Sequence, residues 1–337
     1  MSKPVTIAVD AMGGDSGPRV TLPAILSFAR QNQDIQLVIV GDESQLATSL
    51  PDSQSQLENI RLLHAPDVVE MSDKPATALR NKQQSSMWKA VELVANGEAD
   101  ACVSAGNTGA LMAIGKFLLK TFPGIDRPAI CKTVPTAKGH SYMLDLGANV
   151  ECSSDQLVQF AIMGSELSCA LDGSERPTVS LLNIGAEAIK GNEEVRLAAT
   201  MLSENPHVNY LGFIEGDGIY RGDADVVVCD GFVGNVALKV SEGVAQLLAS
   251  TLQASFKDSQ YGRILGWFAR PLLRNWHNKF EPGRYNGASF LGLQGAVIKS
   301  HGGTTAEGFI SALQVAKEQV DKSIPQRINE RLARFFD

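Results

Sequence analysis

Short unbroken apolar runs alternate along the chain with longer stretches whose apolar positions recur every three or four residues. The runs Val5–Asp10, Ile35–Val40, Ile60–His64 and Ala101–Val103 read as strands, the first of the buried kind and the third a short one. Helical periodicity begins at Pro23 and runs to Ala29, and returns over Glu43–Leu50. The stretch Val69–Met87 is more polar, with Lys74, Arg80 and Lys82, and a helix follows it to Ala95. Further on, Ala129–Val134 and Ser141–Leu146 form a strand pair about a Lys138-Gly139 turn. Leu157–Leu171 is a helix, Thr178–Ile184 a strand and Glu193–Leu202 a helix. Tyr210–Ile214 and Val226–Cys229 are strands, and the latter leads into a helix that runs through Leu252. Strands that are apolar on both faces and alternate with helices predict an α/β fold of three layers, α/β/α, with a mostly parallel sheet.

The stretch from Ala99 to Leu119, ADACVSAGNTGALMAIGKFLL, is strand, glycine-bearing turn and helix in succession. The start of a helix leaves amides without internal acceptors and carries the positive end of the dipole. Ser104, Gly106, Asn107 and Thr108 add donors and close backbone approach without negative charge, so a small anion, phosphate above all, suits this turn. The structural alternative is an ordinary turn with Asn107 or Thr108 as helix cap. No lysine follows the second glycine as a Walker loop requires, and the full dinucleotide fingerprint is absent.

Composition narrows the picture. The 337 residues fit one large α/β domain, the boundary expected here being 1–337. A net charge of −7 argues against a nucleic-acid partner. The 5 cysteines form no CxxC pair and the 5 histidines no metal-spaced pair, so neither a metal nor a cofactor is expected. The start of the chain lacks the apolar core of a signal peptide, and no run approaches a membrane span, so the expected location is cytoplasmic.

Candidate chemistry lies in strand-ending loops, the usual ligand edge of an α/β sheet. Asp10–Gly17 (with Gly13 and Gly14), Ser104–Gly109, Asp145–Asn149, Gly185–Asn192 and Asp230–Asn235 all combine Gly with Asp, Asn or Ser, and all are expected at one edge. Lys190 is the lysine of this set, placed to neutralise a phosphate. As isolated side chains, His140, His207 and His301 read as structural or surface residues.

The runs AVDAMGGDSGP, ACVSAGNTGALM, DLGANVEC, LLNIG with KGN, CDGFVGNVALK and YNGASFLGLQGAVIKSHG span residues 6 to about 302 in order. They resemble the phosphate acyltransferase (PlsX) family of bacterial phospholipid synthesis. The resemblance implies a homodimer with a fold similar to phosphotransacetylases and isopropylmalate dehydrogenases. It implies formation of acyl phosphate from acyl-acyl-carrier-protein and inorganic phosphate, which feeds a membrane-bound glycerol-3-phosphate acyltransferase. It also implies catalytic roles for Lys190 and Asn235. Asp10, Gly13, Gly14, Ser104, Gly106, Asn107, Thr108, Asp145, Asn149, Asp230 and His301 then become the candidate phosphate or substrate-binding set. One departure stands out: an acidic residue commonly follows NIG in that family, where this chain has Ala186.

Phosphate is itself a nucleophile, so acyl transfer to it requires no serine or cysteine nucleophile, only positioning and donors for the oxyanion. Hydride transfer and a non-catalytic scaffold that binds acyl carrier protein are the rival readings. The stretch Ser255–Phe280 turns basic within an acidic protein. Arg263, Arg270 and Arg274 fall on one side of a helical wheel, with Ile264, Leu265, Phe268, Leu272, Leu273 and Trp276 on the other and Trp267 nearby. Pro271 divides it into two short helices. Such a protruding amphipathic segment, residues 255–280, suits peripheral contact with a membrane surface, a dimer interface, or both.

Overall fold

The computed structural model describes residues 4–49, 57–257, 261, 269 and 282–336. Eleven strands form one sheet: β1 (Thr6–Asp10), β2 (Gln36–Gly41), β3 (Ile60–His64), β4 (Ala101–Ser104), β5 (Ala129–Thr136), β6 (Gly139–Leu144), β7 (Thr178–Leu182), β8 (Asn209–Ile214), β9 (Val226–Val228), β10 (Ala288–Leu291) and β11 (Ala296–Lys299), in the order β3-β2-β1-β4-β11-β10-β5-β6-β9-β7-β8. The helices are α1 (Pro18–Gln31), α2 (Glu43–Ser49), α3 (Pro75–Asn81), α4 (Ser86–Ala95), α5 (Thr108–Leu119), α6 (Ser154–Asp172), α7 (Glu193–Ser203), α8 (Gly216–Arg221), α9 (Gly231–Lys257), α10 (Ala306–Asp321) and α11 (Ile324–Phe336).

Pleat alternation assigns the faces. In β1, Ile7 and Val9 join the core under α1 and α10, with Phe28 and Phe309, whereas Ala8 faces the core under α4 and α5, with Trp88 and Leu111. In β9, Val226 and Val228 pack with Phe160 of α6 and Ile328 of α11, and Val227 faces the opposite core. Helices therefore cover both faces, giving the expected three layers.

The sheet departs from the expected pattern in polarity. Pairings are parallel within β3-β2-β1-β4-β11 and within β6-β9-β7-β8. The three steps between these blocks, β11-β10, β10-β5 and β5-β6, are antiparallel. The two blocks thus run in opposite directions, and the five polar loops do not share one edge. Loops after β1 and β4 lie at one edge, and those after β6, β7 and β9 at the other. Periodicity cannot reveal this, because a strand buried on both faces looks the same in either direction.

Helix α1 begins at Pro18, five residues before Pro23, which lies inside it. Pro18 occupies the first turn, where a missing N–H costs nothing, and Thr21 Oγ1 donates to Ala11 O at 2.6 Å, tying the helix start to the end of β1. Helix α9 runs on to Lys257 rather than ending at Leu252. Of the proposed membrane segment, Ile264, Leu265, Trp267, Phe268, Leu272, Leu273 and Trp276 lie outside the described residues.

Candidate active site

At the first corner, Asp10, Ser104 and Lys299 end β1, β4 and β11 in register. Asp10 is 1% exposed. Its carboxylate accepts from Ser86 Oγ (2.6 Å), Ser104 Oγ (2.6 Å) and the Gly13 amide (3.2 Å). Burial raises its pKa, against the pull of those donors. Ser104 Oγ accepts in turn from the Gly106 amide at 3.0 Å, so Asp10 shapes the β4–α5 turn through one hydroxyl. Gly13 is required by space: a Cβ there would lie 2.5 Å from Asp10 Oδ2 and 2.7 Å from the Gly106 nitrogen. Gly14, at φ 94°, lets the loop pack on Gly302, whose carbonyl accepts from the Asp15 amide at 2.9 Å.

Asn107 caps α5 by accepting from the Ala110 amide (3.0 Å), and its Nδ2 donates to Met71 O (2.8 Å) and Asp73 O (3.0 Å). Its amide group is therefore occupied, and Asn107 serves the turn as cap and tether rather than as a free side-chain donor. Any anion there meets the backbone at the start of α5 and the Thr108 side chain.

Beneath this corner, Lys299 is 8% exposed. Its ammonium donates to Ala105 O (3.1 Å) and to Ser300 O. Burial lowers its pKa to about 8, against the attraction of Asp10 and Asp15. His301 follows, its amide held by Asn286 Oδ1 at 2.9 Å. Asn286 is itself buried, and its Nδ2 donates to Ser300 Oγ, Thr304 Oγ1 and Gly308 O.

The second corner repeats the device. Asp145, beyond the end of β6, is fully buried and accepts from the amides of Ile130 (2.9 Å), Ala148 (3.1 Å) and Asn149 (2.7 Å) and from Asn149 Nδ2 (3.0 Å). Burial raises its pKa too. Asn149 O receives the Gly231 amide at 2.7 Å, which sets the first residue of α9. A Cβ on Gly231 would lie 2.5 Å from that oxygen. Asp230 caps α9 by accepting from the Val233 amide at 2.8 Å. Asp145, Asn149 and Asp230 are thus held by the backbone they organise, whereas Asn235, in the second turn of α9, is exposed and its amide has no hydrogen-bond partner among the described residues.

Lys190 lies in the loop after β7. Its amide donates to Glu187 O (2.9 Å) and its carbonyl accepts from Asn183 Nδ2 (3.1 Å). The side chain is exposed, and its ammonium meets no acceptor among the described residues. Among the described residues no hydrogen bond or ion pair joins Lys190 to the Asp10 corner.

What links the two corners is α9. It starts at the second, and one turn beyond Asn235 its Lys239 Nζ stands 3.3 Å from His301 Nε2 at the first. Lys239 also pairs with Glu242 (2.9 Å), which receives Lys132 of β5 at 3.3 Å. Ser86, Lys132, Lys239, Glu242, Asn286 and Lys299 escaped the sequence reading. Lys132 had a signal, a charge inside the apolar strand AICKTV. So did Lys239, four residues after Asn235 on one helix face.

The five cysteines are free, and burial raises the pKa of each, that of Cys152 to about 12, so none is a thiolate nucleophile at neutral pH.

Two buried-carboxylate corners bridged by one long helix, on a doubly covered sheet, make an α/β protein of the phosphotransacetylase fold. A phosphotransacetylase from Streptococcus pyogenes superimposes with a TM-score of 0.63 at 16% identity, covering 95% of each chain. A 4-hydroxythreonine-4-phosphate dehydrogenase from Klebsiella pneumoniae gives 0.54 at 13%, covering 94% of this chain and all of that one (100%). The fatty acid synthesis protein family model matches residues 5–327. The phosphate acyltransferase of Methylococcus capsulatus is 54% identical over 332 residues, 98% of each chain. The chain belongs to the phosphate acyltransferase family.

Proposed function

We infer that this chain is an acyltransferase that forms acyl phosphate from acyl-acyl-carrier-protein and inorganic phosphate, supplying glycerol-3-phosphate acylation in phospholipid synthesis. The observation that carries this reading is the 54% identity, over nearly the whole of both chains, to a protein named phosphate acyltransferase. A phosphate oxygen attacks the thioester carbonyl and forms the new C–O bond. The C–S electron pair leaves with the carrier's thiol sulfur, and a thiolate is a tolerable leaving group without a strong general acid. Lys190 holds the phosphate or the oxyanion, and Asn235 donates its amide to the carbonyl oxygen. The Asp10–Gly14 loop and the Ser104–Thr108 turn bind phosphate through backbone amides and Thr108, while Asp145, Asn149 and Asp230 fix the start of α9 that presents Asn235. Trapping acyl phosphate with hydroxylamine tests the reaction: hydroxamate is expected only when both acyl carrier and phosphate are supplied, and its absence with both present would exclude the activity.

The reading includes a homodimer. In support, Val236, Val240, Val244, Leu247 and Leu248 leave an apolar stripe exposed along α9, a surface suited to a second copy. It also includes peripheral membrane contact from the cytoplasmic side through residues 255–280; no helix among the described residues is long and apolar enough to cross a membrane. Basic residues near anionic lipid contribute about 1 kcal/mol each, screened by salt. Binding to anionic vesicles is expected to weaken in high salt, and Leu272→Glu with Trp276→Glu to abolish it while acyl transfer in solution persists. Vesicle binding unchanged in that variant would remove the segment as anchor, and conversion to a monomer would assign it to the dimer.

A further inference from the structure

The cations between the two corners leave a hydrogen-bond account open at His301. Its Nδ1 lies 3.2 Å from the Gly303 amide, a group that only donates. Its Nε2 lies 3.3 Å from the Lys239 ammonium, which also only donates. A neutral imidazole has one acceptor nitrogen and an imidazolium none, so at least one ring N–H faces another donor. That proton, and the adjoining ammonium, call for an acceptor from outside the chain. Burial, together with the Lys239 charge, keeps the ring's pKa below the usual histidine value, which favours the form with one ring proton.

The surrounding charge points the same way. Lys132 and Lys239 share a single carboxylate, Glu242. Burial opposes the charge on Glu242, but the Lys239 hydrogen bond and the two lysine charges together hold its carboxyl below the ordinary glutamate value. Lys299, two residues before His301, is buried on carbonyl oxygens and forms no ion pair among the described residues. Asp10 and Asp15 act on it at longer range, and Asp10 is already saturated by Ser86, Ser104 and Gly13. A buried cation without a counter-ion is costly, and an anion bound beside it offsets that cost.

We infer that Lys239 and His301 together hold the attacking phosphate, with Lys299 beneath it as a fixed positive charge. This rests on the acyl-transfer reading. Donors 3.3 Å apart suit neighbouring contacts on one phosphate group. Lys239 follows Asn235 by four residues, so the two side chains leave neighbouring turns of one helix face, their Cβ atoms about 6 Å apart, and the phosphate is presented beside the amide proposed to meet the acyl carbonyl oxygen. Nucleophile and electrophile are thereby positioned by one rigid helix, and Lys190 is left to the oxyanion.

The test uses the full chain with inorganic phosphate, against sulfate and chloride at equal ionic strength. Phosphate should raise the melting temperature of the wild type. Lys239→Gln should lose that shift and raise the KM for phosphate about tenfold or more, as expected for a lost hydrogen bond to a charged group. The KM for acyl carrier should stay within about twofold. His301→Gln should show the same pattern more weakly, and Lys239→Arg should keep most of the wild-type response. A wild-type phosphate shift and KM in Lys239→Gln would overturn the assignment. So would a rise in acyl-carrier KM alone, which would place the anion on the carrier. Glu242→Gln separates binding from structure: if it reproduces the Lys239→Gln pattern, Lys239 acts only by holding α9, and the assignment fails. Loss of the phosphate shift in Lys239→Gln with a wild type that makes no acyl phosphate would keep the anion site and reject the acyl-transfer reading.

Discussion

Asp10 and Asp145 close strands of opposite polarity, and each collects donors that shape the next loop. What each corner does with the resulting order differs. At the Asp10 corner, His301 and Thr108 apart, the polar side chains around the carboxylate are occupied: Ser86 and Ser104 by the carboxylate, Asn107 by its cap and two carbonyls, Lys299 by two carbonyls. At the Asp145 corner the carboxylate likewise sets the backbone, but the Asn235 side chain projects from it with no hydrogen-bond partner among the described residues, and so does Lys190 from the neighbouring loop. One corner is a cradle, where backbone amides meet a ligand. The other displays side chains whose donors are free to follow a changing charge. Catalysis needs both: donors fixed in place before the reaction, and donors whose best acceptor appears only in the transition state.

The sharpest way to break this contrast is Lys190→Ala. A displayed side chain whose ammonium has no partner among the described residues should lower turnover on removal by about 10²–10³ while thermal stability stays at wild type. Equal losses of both, read by turnover and melting temperature, would make Lys190 structural. Asp10→Ala should do the reverse in kind, destabilising the fold by about 3 kcal/mol in chemical denaturation, because two buried hydroxyls lose their acceptor. Asp10→Asn, which keeps one oxygen, should be milder.

The third prediction concerns Lys299. Its folded pKa of about 8 lies below the ordinary lysine value of 10.5. Between these values the unfolded chain binds more protons than the folded one, so stability should rise as pH climbs from about 8 to about 10.5. Below pH 8 the buried charge opposes folding in full. Lys299→Met should remove this rise, about 3 kcal/mol across the window, as measured by denaturation at each pH. A variant that retains the slope would trace it to other groups. The smallest effect separates two substitutions of Asn235. Asn235→Asp replaces a donor by an anion and should be several-fold slower than Asn235→Ala, with stability unchanged in both. The opposite order would remove its donor role.

Much of this architecture was legible because it is local. The apolar runs became β1, β2, β4, β7 and β9, and the strand pair about Lys138-Gly139 became β5 and β6, since both faces of each strand are covered. The strand–turn–helix at Ala99–Leu119 formed as read, and Asn107 proved to be the cap that the turn chemistry allowed. The family runs marked Lys190 and Asn235. Less legible was anything that depends on direction or on a distant partner. Pro23 reads as a helix start, yet contacts from Thr21 to Ala11 and Gly17 begin the helix earlier. The loops look equivalent in sequence, yet three antiparallel pairings send them to opposite edges.

By itself, then, the sequence determined the elements, their burial on two faces and the residue types at each strand end, because hydrophobic periodicity and turn chemistry act over a few residues. Tertiary structure alone decided which of those strand ends meet. His301 and Lys239 are 62 residues apart in the chain, Asp10 and Ser104 94, Lys132 and Glu242 110. Their approach depends on strand order, on the polarity reversal at β5 and β10, and on the length of α9 that spans from one corner to the other. Those are properties of the packed sheet, where each strand's position is fixed by the whole core rather than by its neighbours in sequence.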